Sequence, residues 1–218
     1  KLNFDPVNDL EPIALVATIP WTLVVIPAFG PKTLGEFVAV AKAKPGRVDF
    51  ASTGNGSASH IGMELFAAQT KISLTHVPYK GATPSVTDVV GGQVPAVFSA
   101  VSVVLPFVKT DKLLALGVAS EKRSALLPNV PTFAEAGLPN FNFATCVALF
   151  APKGTPSAII DRLNAEAAKA LADPGVRDRL LALGLEPQAS TPDQLGQRVR
   201  RGHARVAKVI KDAGIKSE

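Results

Sequence analysis

The chain is predicted to fold as an α/β protein, on three features. Short apolar runs rich in β-branched residues alternate with amphipathic stretches, the pattern of parallel strands joined by helical crossovers. A buried strand at 47–51 runs straight into "STGNGS", so a turn of glycines and hydroxyls separates a strand from a helix. The composition, 47% hydrophobic and 19% charged over 218 residues, suits a globular chain with mass for one large or two small cores.

Residues 13–18 (IALVAT) and 22–26 (TLVVI) read as two strands meeting near Pro20. A helix over Thr33 to Lys44 follows Pro31, and the strand 47–51 (RVDFA) comes next. The order then repeats. Helix 57–69 leads to strand 74–77, helix 83–91 to strand 95–99, and a short helix 102–109 to strand 113–119, which completes one domain. Prolines at 128, 131 and 139 mark 120–143 as a connection around a short helix at 132–137. An apolar strand returns at 144–151. Two helical segments follow over 156–183, separated at Asp173-Pro174, then a short strand near 186–189 and a long final helix. Thr191-Pro192-Asp193 starts that helix, with a capping hydroxyl before proline at its first position.

Several function classes are disfavoured by composition. No run approaches the roughly eighteen apolar residues of a membrane span, because stretches such as 94–108 are broken by Pro95 and Pro106. A lone Cys146 excludes an intrachain disulfide and a multi-cysteine metal cage. His60, His76 and His203 lack metal-ligand spacing and read first as packing or surface histidines, so neither metal nor cofactor is expected. The net charge of +5 is not clustered beside aromatics that would stack on bases, which argues against nucleic acid. Most of the excess lies on the last helix, where Arg198, Arg200, Arg201, Arg205, Lys208 and Lys211 alternate with Val199, Val206, Val209 and Ile210. These residues read as a solvated face or as a basic surface that attracts anions.

The turn after strand 47–51 carries the chemistry. Gly54 and Gly56 permit backbone angles closed to other residues, so successive N–H groups can converge, while the helix start adds about half a positive charge. An anion fits there. Thr53, Asn55, Ser57 and Ser59 would add side-chain donors, and Ser57 would equally serve as a plain helix cap. The dinucleotide fingerprint fails at its third glycine, where Ser59 stands, and the triphosphate loop G-x-x-x-x-G-K-[ST] is absent. Ser57 does not sit in a G-x-S-x-G elbow, and no base and orienting acid can be assigned to it. A second turn, "VPYKGATPS" at 77–85, brings Pro78, Tyr79, Lys80, Gly81 and Thr83 to the same sheet edge.

Together, "DFASTGNGSASHIGMELF", "THVPYKGATPSVTDVVGGQV", "EKRSALLPNVPTFAEAGLP" and "FAPKGTPSAIIDRLN" closely resemble the tripartite tricarboxylate transporter receptor family, the Bug or TctC-type solute-binding proteins. The resemblance runs the whole chain. It implies a periplasmic, non-enzymatic receptor of the type II binding-protein fold, two α/β lobes joined by crossing strands, that closes on a small carboxylate and delivers it to membrane partners. The family's carboxylate loop carries onto Thr53, Gly54, Asn55, Gly56 and Ser57, flanked by Ser52 and His60, and the cleft-bordering turn onto Pro78, Tyr79, Lys80 and Gly81. Ser99 stands in "FSA" where the family often has "FDN", which implies less preference for amino acids; Thr145 and Cys146 replace a frequent large aromatic.

Set beside the family, residues 27–144 are expected to form a complete second lobe. Residues 1–26 with 145–218 are expected to form a first lobe without its usual N-terminal segment, prone to self-association through exposed sheet edge. The alternative function is a phosphate- or dinucleotide-binding enzyme domain that uses the Gly54/Gly56 turn.

Overall fold

The computed structural model describes residues 3–215 and divides the chain into two compact units. One comprises the chain up to Ile19 with Thr145–Lys208; the other comprises Pro20–Ala144 with the chain from Val209 onward. Residues 20–26, read from sequence with the first lobe, therefore group with the second unit, as does the end of the last helix. The pairing of the first strand explains the former.

That strand, β1 (Leu10–Val25), is one continuous element and not two. Ala17 and Thr18 pair with β7 (Glu186–Pro187), whereas Trp21–Val25 pair antiparallel with β4 (Ala96–Ala100). Pro20 falls between these two sets, where its missing N–H breaks no bond of either ladder. Extended backbone continues through it.

In the second unit the strand order is β3-β2-β4-β1-β5, with β2 at Asp49–Ser52, β3 at Thr75–Pro78 and β5 at Leu114–Val118. β2 pairs parallel with both β3 and β4. β1 runs antiparallel to β4 and to β5, with a register shift between Leu23 and Val24. The sheet is therefore mixed, not wholly parallel. The chain from β4 to β5 passes across β1, which precedes the crossover repeats and enters in the opposite sense.

Alternation along the strands divides the core into two layers. Leu23, Val25, Phe50, Ala96 and Phe98 face an aromatic layer with Trp21, Phe37, Phe66, Phe133 and Phe141. Helices α1 (Leu34–Ala43) and α2 (Ala58–Thr70) supply Phe37, Met63 and Phe66 to it. Val24, Ala51 and Val97 face the other way, onto Val86 and Val89 of α3 (Ala82–Val90) and Val101 and Val104 of α4 (Val101–Val108). Thr33 caps α1 by accepting the Glu36 N–H at 3.2 Å.

The helix expected at 132–137 is a single turn. Thr132 Oγ1 accepts the Glu135 N–H at 3.1 Å while Glu135 accepts the Thr132 N–H at 2.7 Å, a capping box that opens a helix. Gly137, at φ +94°, stops it at once, and Pro139 follows.

The first unit contains the start of β1, β6 (Ala144–Pro152), β7, α5 (Ser157–Ala172), α6 (Pro174–Ala182) and most of α7 (Pro192–Asp212). Its core is small, around Ile13, Ala14, Ala151 and Ile160. Asn164 ties it by donating to the carbonyls of Ile13 and Ser190, each at 2.8 Å. Val147, Leu149 and Phe150 on β6, and Ile159 and Leu163 on α5, are exposed. Asp173 caps α6 before Pro174, and Thr191 exchanges capping bonds with Gln194 at the start of α7. The six basic residues of α7 are exposed, and no helix among the described residues is long and apolar enough to cross a membrane.

Candidate functional site

Parallel pairing sets Ser52 opposite Pro78 and Ala51 opposite Val97, so the turns that follow β2 and β3 and the end of β4 share one sheet edge. Edges of this kind, at the carboxyl ends of parallel strands, are where α/β proteins place their ligands. Ser52, Thr53, Gly54, Asn55, Gly56 and Ser57, the Pro78–Gly81 turn and Ser99 all lie there. Ser99 is buried and stands opposite Thr22 of β1, whose hydroxyl donates to the Gly117 carbonyl at 2.7 Å.

The 53–57 turn is held by its own polar groups. Thr53 N–H donates to Ser59 Oγ at 2.8 Å, Gly54 N–H to Ser52 Oγ at 3.1 Å, and Gly56 N–H to His60 Nδ1 at 3.1 Å. Ser57 caps α2, accepting the His60 N–H at 3.4 Å, and its hydroxyl donates to the Gly54 carbonyl at 2.6 Å. Ser59, fully buried, sits between Thr53 Oγ1 at 3.1 Å and Ser57 Oγ at 3.0 Å. Gly54 (φ +128°) and Gly56 (φ +69°) take conformations that favour glycine. The Thr53, Gly54 and Gly56 amides thus donate inward and do not converge on an outside anion as the sequence suggested. What faces outward is the exposed Asn55–Gly56 tip and the partly exposed Ala58 that opens α2, whose amide has no carbonyl within the helix.

The cap and the Gly54 bond both depend on one oxygen. Ser57→Ala is therefore expected to destabilise the protein by about 1–2 kcal/mol, read from urea unfolding. A loss under about 0.3 kcal/mol would show both bonds to be idle.

Beneath the turn the fold joins two histidines that the sequence left apart. His76 on β3 lies in register with Phe50 and stacks on it at 5.0 Å. His60, on the first turn of α2, stacks on His76 with ring centroids 3.7 Å apart and planes 16° from parallel. His76 Nε2 meets Ser52 Oγ at 2.5 Å, and His60 Nε2 faces Glu64 Oε1 at 3.7 Å. Burial lowers the pKa of both histidines, that of His76 to about 4 with His60 adding to the fall, and raises that of Glu64. Among the described residues no group of three or more His, Cys, Asp or Glu side chains could hold a metal, and His203 is exposed on α7.

Tyr79 is turned toward α3. Its ring packs on the layer formed with α3 and α4, and burial first, then the neighbouring Asp88 of α3, raises the pKa of its phenol. Its backbone serves the turn: Tyr79 N–H donates to the Ser52 carbonyl at 3.1 Å. Lys80 is exposed, and Gly81 (φ +113°) starts α3 without a side-chain cap. Sequence reading left out His76, Glu64 and the central role of Ser59. Ser59 was visible in the motif; the other two acquire their setting only through register and helix phase.

The family model for the tripartite tricarboxylate transporter family receptor matches residues 1–215. Protein BugT of Bordetella pertussis is 37% identical over 216 residues, covering 99% of this chain and 66% of BugT. Among solved structures, R. palustris Rpa4515 with adipate aligns with a TM-score of 0.82 at 30% identity, over 99% of this chain and 72% of that one. MatC from Rhodopseudomonas palustris with bound malate aligns with a TM-score of 0.77 at 34% identity, over 96% and 72%. The chain spans about two thirds of the length of the curated relatives it matches. A family of receptors sets aside the enzyme alternative, and the α/β fold is that of these binding proteins. With its strand-end turns in place and the match running from end to end, the chain belongs to the tripartite tricarboxylate transporter receptor family.

Proposed function

We propose that the protein is a periplasmic receptor that captures a small di- or tricarboxylate, or a related organic acid, and presents it to the membrane components of a tripartite tricarboxylate transporter. The observation that carries this reading is the 53–57 turn. It delivers the start of α2 to a sheet edge in a geometry fixed by internal hydrogen bonds. A carboxylate at that point meets the Ala58 amide and the positive end of the α2 dipole, with no need to reorganise the loop. Asn55 at the tip and Lys80 on the neighbouring turn add polar and positive groups, and the buried Ser99 at the end of β4 places no acid there. Adipate and malate, bound by two similar proteins, support an acid of this size.

A thermal-shift panel of C4 to C6 di- and tricarboxylates, aromatic carboxylates, nucleotides and dinucleotides tests the class. At about one hundred times its dissociation constant a ligand adds roughly 2.7 kcal/mol, or about 5–10 °C in a chain of this size. Only carboxylates are expected to produce it. A response confined to nucleotides, or no response to any acid, would overturn the reading.

A further inference from the structure

Both glycines of the turn are anchored to an imidazole, Gly56 directly through its N–H on His60 Nδ1 and Gly54 indirectly through Ser52, which meets His76. We propose that His60 and His76 are positioning residues for the carboxylate site: while His60 is neutral it holds the turn in its binding geometry through Gly56, with His76 stacked on it and braced on Ser52, and protonation of His60 releases the turn, so that affinity falls as the pH is lowered. This rests on the reading of the turn as the carboxylate site.

The hydrogen-bond chemistry fixes the protonation state. A backbone N–H only donates, so His60 Nδ1 carries a lone pair and the ring proton sits on Nε2, toward Glu64. A second proton on Nδ1 would face the Gly56 N–H donor to donor, and that anchor is lost. The stacked rings, 3.7 Å apart, oppose a second charge once the first has arrived, so they take up protons as a coupled pair. Glu64 on α2 and His76 on β3 are the titratable groups facing His60; β2 presents Phe50 to both rings, and β4 sets Phe98 against Gly62 of α2.

The sign follows from the lowered histidine values. Between the unfolded value near 6.5 and about 4 the unfolded chain binds more protons than the folded one, so this contribution to stability is complete at neutral pH and drains as the pH falls through that window. Glu64, raised by burial, works in the opposite direction and offsets part of the loss. A histidine that touched the ligand directly would give the reverse dependence of affinity, because its positive charge would draw the anion more tightly in acid.

The test is calorimetric titration with malate and adipate from pH 8 to pH 5 on the wild type, His60→Asn and His60→Leu, with circular dichroism to confirm folding. Asn retains an acceptor near the Nδ1 position and does not titrate. The wild type is expected to lose about tenfold more affinity than His60→Asn across that range, and His60→Asn to bind about threefold more weakly at pH 7.5. His60→Leu, with no acceptor, should be weaker by about tenfold or more at every pH. In the ligand-free protein the Gly56 amide resonance is expected to move with the histidine titration, and to stay still in His60→Asn. Binding with a pH-independent Gly56 amide, or with equal pH profiles in wild type and His60→Asn, would overturn the positioning role and leave the carboxylate reading intact. A Gly56 amide that titrates in a protein that binds neither acid would remove the carboxylate reading and leave the imidazole anchor. Affinity that rises in acid only in the wild type would replace positioning by direct contact.

Discussion

Replacing Phe98 with alanine is expected to lower the stability of the protein by about 3–5 kcal/mol, the cost of emptying a large buried aromatic site. The ring is fully buried on β4 and packs against Trp21 at 5.4 Å, Phe143 at 5.4 Å, Phe133 at 6.3 Å and Phe141 at 6.4 Å. Those neighbours are large and mutually packed, with Phe133 and Phe141 stacked at 4.9 Å, so the surroundings collapse poorly into the space. Gly62 on α2 supplies the other wall. A Cβ built there would lie 2.3 Å from the Phe98 ring, so Gly62→Ala alone is expected to overpack the core by about 1–3 kcal/mol. In the double variant the new methyl enters the vacated site, and the combined loss should fall below the sum of the two. Urea unfolding of the three variants measures this. A loss under about 1 kcal/mol for Phe98→Ala, or strict additivity, would refute the packing account.

The largest effect on binding is expected at Gly54. Its φ of +128° lies where side chains are strained, and a Cβ there would stand 3.3 Å from the backbone oxygen of Tyr79. Conformation alone costs about 1–3 kcal/mol. The contact adds to it, because relieving it pushes the 53–57 turn away from the Pro78–Gly81 turn and strains the bond from Tyr79 N–H to the Ser52 carbonyl. Gly56 is the control. Its φ of +69° also favours glycine, but nothing lies within 4 Å of a built Cβ, so Gly56→Ala should cost only about 1–2 kcal/mol. Gly54→Ala is expected to weaken malate or adipate binding about a hundredfold while the fold survives, and Gly56→Ala about tenfold or less. Calorimetric titration with circular dichroism decides it. Equal affinities in the two variants would show that the spacing between the turns does not set the site.

Local signals made much of this protein legible in advance. A hydroxyl or carboxylate at a helix start accepts amides two or three residues on, so Ser57 and Thr191 announced α2 and α7 from their neighbours in sequence, and Thr33 and Asp173 cap α1 and α6 by the same local rule. The short strand RVDFA running into "STGNGS" likewise announced β2 and its turn, and with the other quoted motifs the family to which the chain belongs. The choices left to tertiary structure all concern partners far away in sequence. Pro20 reads as a break until β1 is seen to change partners around it, and the sense of β1 among β4 and β5 is a matter of pairing that no single strand contains. Thr132 and Glu135 begin a helix by every local rule, yet Gly137 ends it after one turn and Thr132 bridges to Val118. The site follows the same division. Its glycines and hydroxyls were readable because turn conformation is a property of adjacent residues. The stacking of His60 on His76, sixteen positions apart, was not, because it requires the β2–β3 register and the phase of α2 at once, and both are set by burial of the aromatic core.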